Sequence, residues 1–237
     1  MIFFAVKLRR NVLWLILGAA AAFLLFIGTY GNKEEPVSST SAVLPLTDRI
    51  IGIDPGHGGY DPGAGRGDTL EKDVVLQIGL YLRHFLHQAG AQVVMTREED
   101  YDLLELPVGP KKRADMANRL SILEDAEAEL IVCIHANYIA SPRWRGAQTF
   151  YRQDCANSRH LSRVIQEELI RVLQNTSRQT AASNFFILKN SSATAALVEV
   201  GFLSNPEETM LLKTPEYQKK VAWAIYLGII RHYSELM

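Results

Sequence analysis

Four residues in this chain have types and settings that could do chemistry: His57, Glu71, His135 and Glu199. Each stands at or near the end of an apolar run. His57 follows Ile50–Asp54 in a Gly-rich stretch, His135 closes Leu130–Ile134, and Glu199 lies inside Ala195–Val200. Glu71 opens a helix-patterned segment just past the glycines. A carboxylate on a buried strand costs several kcal/mol, in order of magnitude, unless it is paired or metal-bound, so these positions need a reason. Two histidines and one glutamate form a common catalytic zinc set, with a fourth position left for water. His57, Glu71 and His135 could supply it. Their wide spacing suits a catalytic site, and the absence of any Cys-x-x-Cys argues against a structural zinc.

Such residues must be positioned by a scaffold, and the chain patterns as alternating strands and helices. Strands are expected at Arg49–Asp54, Gln92–Thr96, Leu130–His135, Ala147–Tyr151, Phe185–Leu188 and Ala195–Val200. Helices are expected at Glu71–Ala89, closed by Gly90, at Lys111–Leu123 and at Ser158–Leu173. Pro206 opens a short helix behind a Ser204 or Asn205 cap, and Thr214 caps a last helix with Pro215 at its first position. Alternation of this kind predicts an α/β single domain with a mostly parallel sheet flanked by helices. In such sheets sites form at the carboxyl ends of strands, where the four candidates fall.

The domain is expected over residues 48–237. Residues 32–47, rich in Ser, Thr, Pro and Glu, read as a flexible linker. Residues 1–31 read as a signal-anchor. Lys7, Arg9 and Arg10 precede the uncharged stretch Asn11–Tyr30, whose apolar part Val12–Ile27 just suffices to span a bilayer. The basic residues before it and Glu34 and Glu35 after it predict a cytoplasmic-membrane anchor with the body outside. A cleaved signal peptide is the rival reading, and it also exports the body. Net charge is −1, and no basic patch stands out after residue 50, which argues against nucleic acid as a partner. Cys133 reads as a buried core thiol and no disulfide to Cys155 is expected. His84 and His87 fall on the polar side of the first helix, and His160 and His232 carry no motif. The glycines fit neither G-x-G-x-x-G nor a P-loop.

Four blocks of the domain resemble the zinc-dependent N-acetylmuramoyl-L-alanine amidases. Asp54-Pro55-Gly56-His57-Gly58-Gly59, Gly63-Ala64 and Glu71-Lys72-Asp73 are similar to that family's opening signature, and Thr96-Arg97 with Arg113 and Ala117-Asn118 to its next segment. Ile134-His135-Ala136-Asn137 and Gly146–Tyr151 resemble the middle, and Val198–Glu207 the closing motif. The resemblance implies zinc on His57, Glu71 and His135, a catalytic carboxylate at Glu199, and hydrolysis of the amide between the lactyl group of muramic acid and L-alanine in peptidoglycan. The compact domain behind an anchor is similar to the spore-cortex, germination-specific branch. Asn137, Arg113 and Arg97 sit in the matching blocks and are candidates for orienting glycan or peptide. Both arginines are equally readable as ion-pair partners, and Asp54 as support for a ligand or as a strand end. Two other functions compete: a different zinc peptidase, though His-Glu-x-x-His is absent, and a non-catalytic wall-binding protein that kept the fold, though all four residues are present. Control by a separate regulatory protein is compatible with the sequence.

Overall fold

The computed structural model describes residues 12, 14–15, 18–24, 26, 44–104 and 110–236. The chain divides into two compact units, Met1–Ala42 and Val43–Met237. In the first, the described residues are helical and exposed. The expected span Asn11–Tyr30 lies partly outside the described residues, and among those described no helix is long and apolar enough to cross a membrane. The second unit begins before the expected boundary at residue 48. Leu46 is 0% exposed within the main apolar cluster, and its N–H donates to Ala89 O at 2.9 Å. The end of the expected linker is therefore part of the domain.

A six-stranded sheet organises this unit. Its strands are β1 (Ile50–Pro55), β4 (Gln92–Met95), β5 (Leu130–Asn137), β6 (Gln148–Tyr151), β7 (Ala181–Ala182) and β8 (Thr194–Phe202), in the order β4-β1-β5-β8-β6-β7. All neighbouring pairs are parallel except β6 with β8. A small hairpin of β2 (Gly65–Arg66) and β3 (Thr69–Leu70) stands apart, in the Gly-rich loop. Side chains alternate across β5: Leu130, Val132 and Ile134 enter one apolar cluster, Ile131 and Cys133 the other. The first cluster is closed by α1 (Glu71–Gln88), α3 (Ala156–Leu173) and α6 (Pro215–Leu236), through rows such as Val74, Val75, Ile78, Leu82 and Leu86. The second lies under α2 (Lys111–Asp125) and α4 (Phe186–Asn190). The α/β architecture with a mostly parallel sheet is thus the one expected.

Two local features bear on the sequence reading. Asn205, one of the two expected caps, accepts from the N–H groups of Glu207 and Glu208 to start α5 (Pro206–Leu212). The expected strand Phe185–Leu188 is instead the short helix α4, a correction with a packing reason. The adjacent side chains Ile187 and Leu188 both enter the second cluster, and a strand would send them to opposite faces. An apolar run this short does not distinguish the two states by periodicity.

Candidate active site

The connection from β1 runs through α1 to β4 on one side, while the connection from β5 leads to the strands on the other. The crevice between the carboxyl ends of β1 and β5 is therefore the switch point of the sheet, where ligands bind in open α/β folds. His57 leaves the end of β1 and His135 lies near the end of β5, one position before a register shift. Glu199 is the cross-strand neighbour of His135 on β8. Glu71 reaches the same point from the first residue of α1.

One Glu71 oxygen, Oε1, lies 3.1 Å from His57 Nε2 and 3.0 Å from His135 Nδ1, and accepts the Ala136 N–H at 2.9 Å. The other, Oε2, accepts the Ala64 N–H at 2.8 Å. Burial pushes the Glu71 carboxyl up, but the two imidazoles outweigh it and hold the group well below the usual carboxylate range. For His135, burial disfavours the cation and the bond to Glu71 more than restores it, so its pKa is raised. His57 Nδ1 is 2.9 Å from Asp61 Oδ2. Donor atoms of His57, Glu71 and His135 all lie within 4.8 Å of one another, so the trio could hold one metal ion. Glu199 is 9% exposed, and its Oε2 is buried with no hydrogen-bond partner among the described residues. Burial is the main cause that pushes its carboxyl up, to about 7. Three convergent donors of the zinc-binding type beside an unpartnered buried carboxylate fit a catalytic metal centre.

The glycines exist because the site is crowded. A Cβ on Gly56 would sit 2.1 Å from His135 Cε1, and one on Gly63, at φ +68°, would sit 2.6 Å from Glu71 Oε2. His57 itself adopts φ 62°, a left-handed conformation costly for a residue with a side chain and often found where function over-determines the backbone. Two guanidiniums hold it there. Arg97 donates through Nε to Pro55 O (3.0 Å) and through Nη2 to Gly56 O (2.9 Å) and Lys72 O (2.7 Å). Arg119 donates to Pro55 O and His57 O, and is anchored by Asp54 (2.9 Å) and Asp115 (2.6 Å).

These contacts bear on three of the residues whose roles the sequence left open. Arg97 is 0% exposed and its donors meet backbone carbonyls, so it positions the loop. Asp54 touches no candidate ligand and acts through Arg119. Arg113 is exposed and lies outside the cavity lining, whereas Asn137 lies within it. Arg119 and Asp115 escaped the sequence reading, although their i,i+4 spacing on the buried face of α2 was a usable signal. The cavity, of about 330 Å³, brings the four central residues together with Lys112, Met116, Phe186, Ile187 and Leu197.

The remaining candidates lie elsewhere. His84 and His87 are exposed, as expected. His160 and His232 approach at 3.0 Å between their Nδ1 atoms, and His232 lines a separate hollow with Leu130 and Thr194, the first residues of β5 and β8. Cys133 and Cys155 are both free.

Comparison with known proteins agrees with this geometry. The profile of the N-acetylmuramoyl-L-alanine amidase family matches residues 51–231. The germination-specific N-acetylmuramoyl-L-alanine amidase of Bacillus subtilis is 42% identical, over 96% of this chain and 98% of that protein. Among solved structures, the CwlD amidase of Clostridioides difficile in complex with the GerS lipoprotein is 39% identical, with a TM-score of 0.76, covering 79% of this chain and 100% of that one. The amidase AmiC2 of Nostoc punctiforme is 33% identical at a TM-score of 0.70, covering 80% and 99%. With its profile match running from β1 into α6 and the four central residues gathered in one cavity, the chain belongs to the N-acetylmuramoyl-L-alanine amidase family.

Proposed function

We propose that this chain is a zinc-dependent amidase that hydrolyses the bond between the lactyl group of muramic acid and L-alanine of peptidoglycan, with His57, Glu71 and His135 as ligands and Glu199 as general base. The observation that carries the proposal is the unpartnered oxygen of Glu199 beside the His-Glu-His trio. A zinc ion held there would polarise the scissile carbonyl and ease the ionisation of water. Glu199 accepts the proton of the attacking water, then delivers it to the leaving nitrogen of L-alanine as the C–N bond breaks. The wall formed by Met116, Phe186, Ile187 and Leu197 limits solvent around that proton transfer, and Asn137 offers an amide to orient the substrate.

The likeness to the germination-specific amidase of Bacillus subtilis supports spore cortex as the working substrate. The solved complex of CwlD with GerS supports control by a separate partner protein. The basic residues ahead of the apolar segment support an external domain held at the cytoplasmic membrane.

Glu199→Gln tests the central assignment, because it preserves size and removes the proton acceptor. Zinc per chain and the melting temperature should stay near those of the parent. Release of L-alanine amino termini from peptidoglycan should fall by ~10²–10⁴-fold, the usual worth of general base catalysis. A variant that keeps zinc, stays folded and still cuts at near the parent rate excludes Glu199 as the base. Mass analysis of the digested muropeptides separates this amidase from a zinc peptidase cutting elsewhere and from a wall-binding protein that cuts nothing.

A further inference from the structure

Most charged groups in the cavity lining are engaged. Asp61 contacts His57, Asp115 is held by Arg119, and Glu71 meets both imidazoles. Two stand apart. Glu199 carries the free oxygen assigned above to proton transfer. The other is Lys112, an exposed lining residue whose ammonium acts on the Asp61 carboxylate at a distance but forms no direct ion pair or hydrogen bond among the described residues.

Its place in the sequence makes this more than a stray surface lysine. Lys112 lies between Lys111 and Arg113 in the first turn of α2, a turn with no acidic residue and no side-chain cap. The amino end of a helix is its positive end, so three cations there repel both the helix dipole and one another. Lys111 points its ammonium over the Tyr60 ring, at 5.6 Å from the centroid. Lys112 instead borders the reactive centre, on the same helix that supplies Met116, Asp115 and Arg119 to the lining. A positive helix end and an ammonium without a direct partner, both at the edge of the cavity, together favour a substrate anion there.

We infer that Lys112 is a specificity residue that pairs with a free carboxylate of the stem peptide, so that the enzyme distinguishes stems with an ionised carboxylate from those in which it is a carboxamide. The inference rests on the amidase reading above. The pair forms at the mouth of the cavity, where solvent screens it, and its effect should be that of an exposed ion pair, about 5-fold.

The test compares polymeric peptidoglycan with stem carboxylates either free or converted to carboxamides, using the full chain. The parent should cleave the free form with a KM about 5-fold lower and a similar kcat. Lys112→Gln should erase that difference by raising KM for the free form alone, and Lys112→Arg should restore it. Lys111→Gln removes the same charge from the same helix end but not from the cavity, and should keep the preference. Both neutral variants relieve repulsion at the helix start, so melting temperatures should hold or rise. Equal use of both forms by the parent overturns the inference and leaves the amidase reading standing. So does a preference that survives in Lys112→Gln, or a loss shared equally by both forms. If the parent cuts neither form, the amidase reading falls and the subsite with it.

Discussion

Arg119→Met should destabilise the metal-free domain by about 3–5 kcal/mol, the cost of breaking a buried ion pair from one side. The size follows from what Arg119 touches. It is 3% exposed, and its partners Asp54 and Asp115 are buried with it. Methionine keeps an unbranched stem and removes every donor. Asp54 then retains the Thr96 hydroxyl and Asp115 the Leu103 N–H, too little for two buried carboxylates. His57 O loses its guanidinium donor, so the loop carrying a candidate ligand loosens as well. The pH dependence gives the sign. In the parent, burial pushes the Asp54 carboxyl up, but Arg119 and Thr96 outweigh it and hold it below its ordinary 3.8. That ionised group stabilises the fold above its unfolded pKa, and the contribution is lost as pH falls through the lowered folded value. Without Arg119, burial dominates and the folded pKa lies above the unfolded one. The penalty is then full at neutral pH and fades as acid protonates Asp54 in both states. Urea unfolding followed by far-ultraviolet circular dichroism should therefore show the widest gap between parent and variant near pH 7 and a narrower one at about pH 4.5. Adding Asp54→Asn and Asp115→Asn should recover much of the loss, because no buried charge then lacks a partner. A loss below about 1 kcal/mol, constant with pH, would refute the reasoning, since it is the size expected of an exposed pair.

Two other outcomes follow from the packing. Gly56→Ala places a Cβ 2.1 Å from His135 Cε1, so that imidazole must move; zinc per chain should drop sharply while the metal-free melting temperature changes little, and full zinc occupancy would show that the ring has room. A chain starting at residue 43 should fold with parent stability and leave the membrane fraction, whereas one starting at residue 49 should lose ~2 kcal/mol with the burial of Leu46; equal stability of the two would return Leu46 to the linker.

The central chemistry was legible because each candidate is an anomaly against a local pattern. His135 and Glu199 interrupt apolar strands, His57 stands among glycines, and Glu71 opens a helix whose apolar spacing is plain. Local patterns likewise placed most helices and strands within a few residues, since alternation and helical spacing are properties of the chain itself. What lay beyond them depended on neighbours distant in sequence. Arg97 and Arg119 have the same side chain, and only the packing of β1, β4 and α2 decides that both grip the loop after Pro55 while Arg113 on the same helix faces solvent. Ile187 and Leu188 form a helix because one apolar cluster takes both, and Leu46 belongs to the core because α1 ends beside it. That Glu199 keeps a free oxygen, and that Lys112 borders the same cavity, likewise depends on the sheet order, which sets β5 beside both β1 and β8. Periodicity along a chain determines which face of an element is apolar. The partner for that face, and the charges left unpaired around it, are determined by long-range strand pairing and helix packing.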